Sequence, residues 1–398
     1  MTQTLATAAA VGSARRWAML GASTLAQAAT AVMVHGPAFL IPALHARGLS
    51  LAEAGLVAAA PTVGVMLTLV AWGAVTDRRG ERFVLLAGLA GTVLAGLAAA
   101  LTRGTAPLAV ALLLAGAAAA STNAASGRVV VGWFAPERRG LAMGIRQMAQ
   151  PVGVGVAAIS MATVAAHAGV SAALVVPTVV CALAAVVVGL VVVDPPRPAA
   201  DAGARAANPY REDSYLTRIH AVSVLLVVPQ FLVWTFALVW LVQDRGWAPA
   251  AAGTVVAVAQ VAGALGRIGV GHLSDVVGSR MRPLRWVALA AAATMALLGL
   301  AAALDLAVAV LLVVVATLVT VADNGLAFTA VAERAGPFWS GRALGVQNTA
   351  QFLTASAVPP LAGLAVPHLG YAATFAVAAA FPVLAAPLVP ARQERALR

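Results

Sequence analysis

Apolar residues run along this chain in long blocks that end at glycine, proline or charge. A helix needs about 20 such residues to cross the hydrocarbon core of a bilayer. Reading the breaks gives twelve candidate spans, near 18–44, 51–75, 83–102, 106–134, 141–167, 169–193, 218–243, 249–274, 284–304, 306–333, 342–367 and 369–390. Between the sixth and seventh lies the one extended polar stretch, 194–216, whose prolines and mixed charges read as a linker. The expected fold is therefore an all-α integral membrane protein of twelve transmembrane helices. They form two six-helix bundles, 1–193 and 217–398, joined by a linker at 194–216. The apolar stretch before Arg15 and Arg16 is too short for a signal-peptide core, and no A-x-A cleavage context ends the first long run. That run is expected to be an uncleaved first span.

Charge then orients the bundle. Every basic residue among the 25 Lys+Arg is an arginine, and with these spans nineteen of them fall on the side of the N-terminus. Only Arg47, Arg103 and Arg245 fall on the other side. Positive residues favour cytoplasmic loops, so both termini are expected in the cytoplasm, with the chain multi-pass in a bacterial inner (plasma) membrane. Trp17, Trp72, Trp133, Trp286 and Trp339 lie near that same boundary, as an interfacial aromatic belt would.

Composition closes off other classes. The chain is 62% hydrophobic and 10% charged, with mean hydropathy +0.93, too apolar a surface for a soluble domain. The net charge of +11 does not mark a nucleic-acid binder, because the arginines lie between apolar runs and form no basic stripe. Cys181 is the only cysteine and sits inside the sixth apolar run, which excludes disulfides and cysteine metal sites. No nucleophile–base set or phosphate loop suggests an enzyme, and no cofactor or metal is expected.

The two sides of the linker repeat each other. Gly73-x-x-x-Asp77-x-x-Gly80-x-Arg82 recurs as Gly271-x-x-x-Asp275-x-x-Gly278-x-Arg280, and Gly140-x-Ala142-x-Gly144 as Gly341-x-Ala343-x-Gly345; Asn123 pairs with Asn324. Two parallel units related by an axis along the membrane normal follow. The stretch Gly73–Arg82, with Asp77 and Arg78, resembles the signature loop of the major facilitator superfamily. Trp133–Gly144 is similar to the loop between its fourth and fifth spans. The resemblance covers essentially the whole chain and implies a secondary transporter working by alternating access. It also implies that the signature loop forms a cytoplasmic latch between the halves, with Asp77 facing the eleventh span near Gly341 and Asp275 mirroring it near the fifth. The alternative is that Gly73, Asp77, Arg78, Gly80, Arg82 and their counterparts Gly271, Asp275, Gly278 and Arg280 serve only as turn and topology signals. Two departures stand out: Val276 occupies the place of Arg78, and Glu81 stands where the family is usually basic.

Ionisable residues inside spans cost roughly 2.5–3.5 kcal/mol each on insertion scales, so each is a functional candidate. Asp323 lies about 16 Å in from Arg334 along a helix and Arg267 about 12 Å in from Asp275. Arg128 and Arg146 lie nearer the inner face. None is duplicated: Leu69, Thr122, Thr329 and Gln347 stand opposite Arg267, Asp323, Arg128 and Arg146. The resemblance places all four on spans that line the family's central cavity. The run Gly266-Arg267-x-Gly269-x-Gly271 resembles the eighth span of carboxylate-carrying members such as oxalate/formate and monocarboxylate transporters. Arg267 is then either a ligand for an anionic substrate or the ion-pair partner of Asp323, and both roles can alternate. Asp323 is the proton-coupling candidate. Asn123, Gln147, Gln150 and Asn324 can bond substrate or neighbouring helices. His35 precedes the Gly36-Pro37 kink as a core histidine or a proton relay, and Trp234 can pack or stack on a ligand.

The leading function is a symporter or antiporter of a small solute, with an organic anion favoured because buried arginines outnumber buried carboxylates. The competing readings are proton-driven drug or metabolite efflux and a non-transporting receptor or scaffold on the same fold. Gln150-Pro151-Val-Gly153-Val-Gly155 is only a degenerate version of the exporters' fifth-span pattern. The expected partners are the lipid bilayer, a small-molecule substrate and a coupled proton, with no nucleic acid; the chain is expected to be a monomer.

Overall fold

A computed structural model describes residues 11–196 and 208–395. The helices are α1 (Ser13–His35), α2 (Ile41–His45), α3 (Leu51–Arg79), α4 (Glu81–Leu101), α5 (Thr105–Trp133), α6 (Pro136–Gln147) and α7 (Ala149–Val191). After the linker come α8 (Tyr215–Gln243), α9 (Pro249–Val277), α10 (Met281–Ala303), α11 (Val308–Thr320), α12 (Asp323–Ala335), α13 (Ser340–Ala378) and α14 (Ala380–Leu388). Ten helical stretches are long and apolar enough to cross a membrane. Two of them each hold two spans, because Gly169 (φ 82) and Gly370 (φ 77) turn the chain inside α7 and α13. Among the described residues this is a twelve-helix, all-α membrane protein. Part of the expected linker, 197–207, lies outside the described residues.

Local chemistry explains where helices start and stop. Ser50 and Glu53 close a capping box on α3, with Glu53 N–H donating to Ser50 Oγ (3.2 Å) and Ser50 N–H to the Glu53 carboxylate (2.8 Å). Gly80 (φ 100) ends α3, and Gly278 (φ 66) ends α9 at the repeated position. Both conformations favour glycine, which has no Cβ to clash. Four spans are broken, the last of them at Ala379, where α13 gives way to α14 inside the expected span 369–390. The first changes to a 3-10 turn at Gly36–Leu40, where Pro37 removes a donor. The expected spans 141–167 and 306–333 are not single helices: α6 gives way to α7 at Met148, and α11 to α12 at 321–322.

The chain forms two compact units. Of the described residues, the first comprises 11–134, 148–196 and 335–349; the second comprises 135–147, 208–334 and 350–395. Each sequence half thus lends the start of one helix to the other half's unit. In the first unit α3 and α4 pack on α5, and α1 and α4 pack on α7. In the second, α9 and α10 pack on α11, and α8 and α10 on α14, the same scheme repeated. The buried interiors are rich in alanine and small aliphatic side chains, as in Ala115, Ala119, Ala125 and Leu89 of the first unit. Leu56, Leu67, Leu101, Leu190 and Val276 are exposed, which suits faces turned to lipid. The chain re-entering from the linker is fastened to the second unit. Tyr210 Oη bonds His220 Nε2 (2.9 Å) and Arg334 pairs with Asp213. Burial pushes the Tyr210 phenol up to about 12.

Candidate functional site

The first unit gathers its charges at the end of α3. Asp77 is buried; its Oδ1 accepts from the Gly341 N–H (2.8 Å), and its Oδ2 from the Arg342 N–H (3.1 Å) and Nε (2.9 Å). An anion here meets the unsatisfied N–H groups and the positive end of the α13 dipole. Arg128 reaches the same carboxylate from α5 (2.6 Å) and also pairs with Glu81 (2.7 Å), which is fully buried. Glu81 therefore stands on the opposite side of the exchange from the family's usual basic residue. It helps to neutralise a buried arginine that reaches in from a transmembrane helix. Gly73 and Gly341 face each other so closely that a Cβ on either would overlap the other's carbonyl. Beside them, Asp194 accepts from the Arg82 N–H (2.8 Å), and Arg82 Nη2 donates to the Gly189 carbonyl (2.7 Å). Among the contacts of the described residues Arg78 has no part in this knot.

The second unit builds the same knot from other charges. Asp275 accepts from the Gly140 N–H (2.9 Å) and the Leu141 N–H (2.8 Å) at the start of the α6 segment, while Gly271 lies against Gly140. Arg280 replaces Arg128 as the central cation. It donates to Asp275 (2.5 Å), Ser274 Oγ (2.7 Å), the Pro136 carbonyl (2.5 Å) and Glu333 (3.3 Å). Burial alone would lower the Arg280 guanidinium, but the Glu333 charge and the bonds to Asp275 and Glu333 outweigh it and raise it above the ordinary arginine value. Glu394 caps the N-terminus of α10, accepting from the Arg280 (2.5 Å) and Met281 (3.1 Å) N–H groups. It sits where Asp194 sits in the first unit.

Deeper in the second unit, Arg146, Gln147, Arg267, Asp323, Asn324 and Phe328 come together. Gly144 lies against the Arg267 and Ile268 backbone and beside Gly325, which brings α6, α9 and α12 into contact. Arg146 is completely buried; it donates to Gln147 Oε1 (2.8 Å) and lies over the Phe328 ring (5.6 Å to centroid). Arg267 is 5% exposed and Asp323 1% exposed. Their charges act on each other, yet they form no ion pair among the described residues. Arg267 donates instead to two backbone carbonyls, Gln147 O (2.9 Å) and Val321 O (3.4 Å). Both carboxylate oxygens of Asp323 lack a hydrogen-bond partner among the described residues.

Each unit also holds a buried amide pair. Gln27 Nε2 donates to Asn123 Oδ1 (3.1 Å), and Ser126 Oγ to Gln27 Oε1 (3.0 Å). In the second unit Asn324 Nδ2 donates to Gln230 Oε1 (3.1 Å), and Gln351 Nε2 to Asn324 Oδ1 (2.9 Å). The sequence reading singled out Asn123 and Asn324 but missed Gln27, Gln230 and Gln351. The signal available was their polarity within apolar runs. His35 is half-buried next to Gln150 Nε2 (3.4 Å). Trp234 packs on Phe231 (5.4 Å between centroids), and its indole N–H has no partner among the described residues.

The profile of the Major Facilitator Superfamily matches residues 20–359. An uncharacterized MFS-type transporter of Mycobacterium tuberculosis is 47% identical over 384 residues, covering 96% of this chain and 86% of its relative. Among solved structures, the proton:xylose symporter XylE superposes with a TM-score of 0.78 at 15% identity, covering 97% of this chain and 98% of the other. The human organic anion transporter MFSD10 superposes with a TM-score of 0.74 at 17% identity, covering 95% and 100%. At those identities the two structures speak for the fold alone. With the twelve spans, the duplicated knots, the family profile and a relative matched over 96% of this chain in agreement, this chain belongs to the major facilitator superfamily and is a membrane transporter, not an enzyme.

Proposed function

We propose that this transporter carries a small organic anion across a bacterial plasma membrane by alternating access, coupled to a proton. The observation that supports this reading is the state of two buried charges in the second unit. Among the described residues Arg267 has no carboxylate partner and neither side-chain oxygen of Asp323 has a hydrogen-bond partner. A buried charge without a partner is costly, and a structure tolerates it where a ligand or a proton completes it. A guanidinium presents paired N–H donors that match a carboxylate. A lone buried carboxylate beside it is suited to binding a proton and releasing it as the neighbouring charge changes. In this reading the arginine-rich loops and both termini face the cytoplasm. The two knots at Asp77 and Asp275 are the ties that hold the cytoplasmic ends of the helices together and must part during the cycle.

Flux into proteoliposomes tests it, with a panel of small carboxylates run with and without an imposed pH gradient. A carried carboxylate whose flux responds to the gradient is the expected result. Arg267→Gln should abolish that flux while the protein still inserts and purifies normally. Carboxylate flux that persists in Arg267→Gln would remove the anion reading. No carboxylate flux in the native protein, with flux of a neutral or cationic compound instead, would favour export of another class of solute.

A further inference from the structure

In a continuous helix the Gln147 carbonyl would accept from the N–H of residue 151. Residue 151 is proline, which has no N–H, so that carbonyl loses its partner. Its neighbour is served, since Val152 N–H donates to Met148 O at 3.1 Å. The helix breaks there, between α6 and α7, and the chain passes from one compact unit to the other at that residue. Arg267 Nη1 supplies the missing donor from α9, at 2.9 Å. Its Nε serves the Val321 carbonyl at 3.4 Å, in the break between α11 and α12. One buried guanidinium thus satisfies two helix breaks. Asp323, two residues beyond Val321, has both side-chain oxygens without a hydrogen-bond partner among the described residues.

We propose that Arg267 is a clasp on the α6–α7 hinge which an anion in the site releases. A carboxylate is a stronger acceptor than a peptide carbonyl, with charge-assisted bonds roughly twice as strong. An arriving anion therefore draws the guanidinium away from Gln147. The carbonyl left behind has no helical N–H to return to, because Pro151 has removed it. The hinge must then rearrange, or admit water, to satisfy that carbonyl. Proline at 151 and arginine at 267 are two parts of one device, which ties occupancy of the site to the shape of the helix. The clasp itself does not depend on what is transported. Its release rests on the anion reading above.

The test is a double-variant cycle. Pro151→Ala returns an N–H to the Gln147 carbonyl and makes Arg267 redundant there. Thermal midpoints in detergent are compared for the native protein, Arg267→Gln, Pro151→Ala and the double variant. Arg267→Gln should lower the midpoint, and by about half as much or less in the Pro151→Ala background; coupling between groups that share a partner is what such cycles read. Equal drops in the two backgrounds overturn the clasp. If Arg267→Gln does not yield folded protein, Arg267→Lys carries the same comparison, because an ammonium keeps the charge but lacks the fork that spans two carbonyls. Release is read separately, as carboxylate flux in Pro151→Ala. That flux should fall although the site residues are intact, and flux at the native rate overturns the coupling while leaving the clasp. Absence of carboxylate flux in the native protein overturns the anion reading and the release with it, and the thermal cycle then judges the clasp alone.

Discussion

Asp77→Asn is the sharpest perturbation of the first unit's knot, because it removes one charge and changes almost no volume. The carboxylate serves four donors at 2.6–3.1 Å: Arg128, the Gly341 N–H, and the N–H and guanidinium of Arg342. An asparagine oxygen can keep some of these, but its NH₂ group then faces other donors. Removing one partner of a buried ion pair costs about 3–5 kcal/mol. Glu81 remains 2.7 Å from Arg128, so the lower end applies, and about 3 kcal/mol is roughly a hundredfold in an equilibrium. If the knot opens and closes during transport, the open fraction should rise by that order. Ser340, at the first residue of α13, is 3% exposed and reports on opening when replaced by cysteine in a Cys181→Ala background. Cys181 itself is buried. A water-soluble maleimide should label Ser340→Cys up to about a hundredfold faster when Asp77→Asn is added. The same labelling rate in both, with both proteins monodisperse, would refute the view that this carboxylate holds the start of α13 in place.

Two further outcomes follow from the second unit's knot. Arg280 is 1% exposed and compensates both Asp275 and Glu333, so Arg280→Gln should cost about 3–5 kcal/mol, read as a lower thermal midpoint and a smaller monodisperse fraction on size exclusion. Gly140→Ala should also destabilise, since its Cβ would overlap the Gly271 carbonyl, whereas Gly269→Ala on α9 meets open space. The latter should be neutral or stabilising by about 0.5–1 kcal/mol, and equal midpoints for the two alanines would contradict the close approach.

The apolar blocks and the repeat were enough to read the twelve spans, because burial in lipid imposes one rule on every residue of a span. The family resemblance of the signature loop, rather than the repeat alone, implied that Asp77 faces Gly341 and that Asp275 faces the start of the fifth span, and the carboxylates accept from the N–H groups there. Glycine pairs and helix N-termini leave a sequence pattern. The buried amides were harder to read. Gln27 and Gln230 stand 203 positions apart, off the 198 and 201 offsets that linked the motifs, and a neutral amide in an apolar run carries no charge signal. Asp194 falls in the stretch taken as a linker and Glu394 drew no reading, although each accepts from backbone N–H at the start of a helix. The break at 321–322 has no proline or glycine to announce it; Val321 and Ala322 are ordinary span residues. Nor could the sequence decide whether Arg267 and Asp323 pair, because both geometries satisfy the same spacing along their helices.

The places where the repeat fails have a common physical logic. In the first unit the cation of the knot, Arg128, comes from within α5 and lies among buried residues. Its counterpart in the second unit is Thr329, whose hydroxyl donates to its own helix at Gly325 O (2.7 Å). There the compensating charge has moved out to Arg280, in the loop between α9 and α10. The two knots therefore have the same form, yet only the first places its arginine in a transmembrane helix. In the second unit the knot's arginine is not drawn from a spanning helix, although Asp275 of α9 and Glu333 of α12 still serve the knot; among the contacts of the described residues Arg267 and Asp323 do not. Leu69, opposite Arg267, is fully buried in the first unit, so the scaffold there stands without a charge at that position. Arg267 is thus a charge that the first unit does without at the matching position, while in the second unit it serves the carbonyls of two helix breaks, Gln147 and Val321.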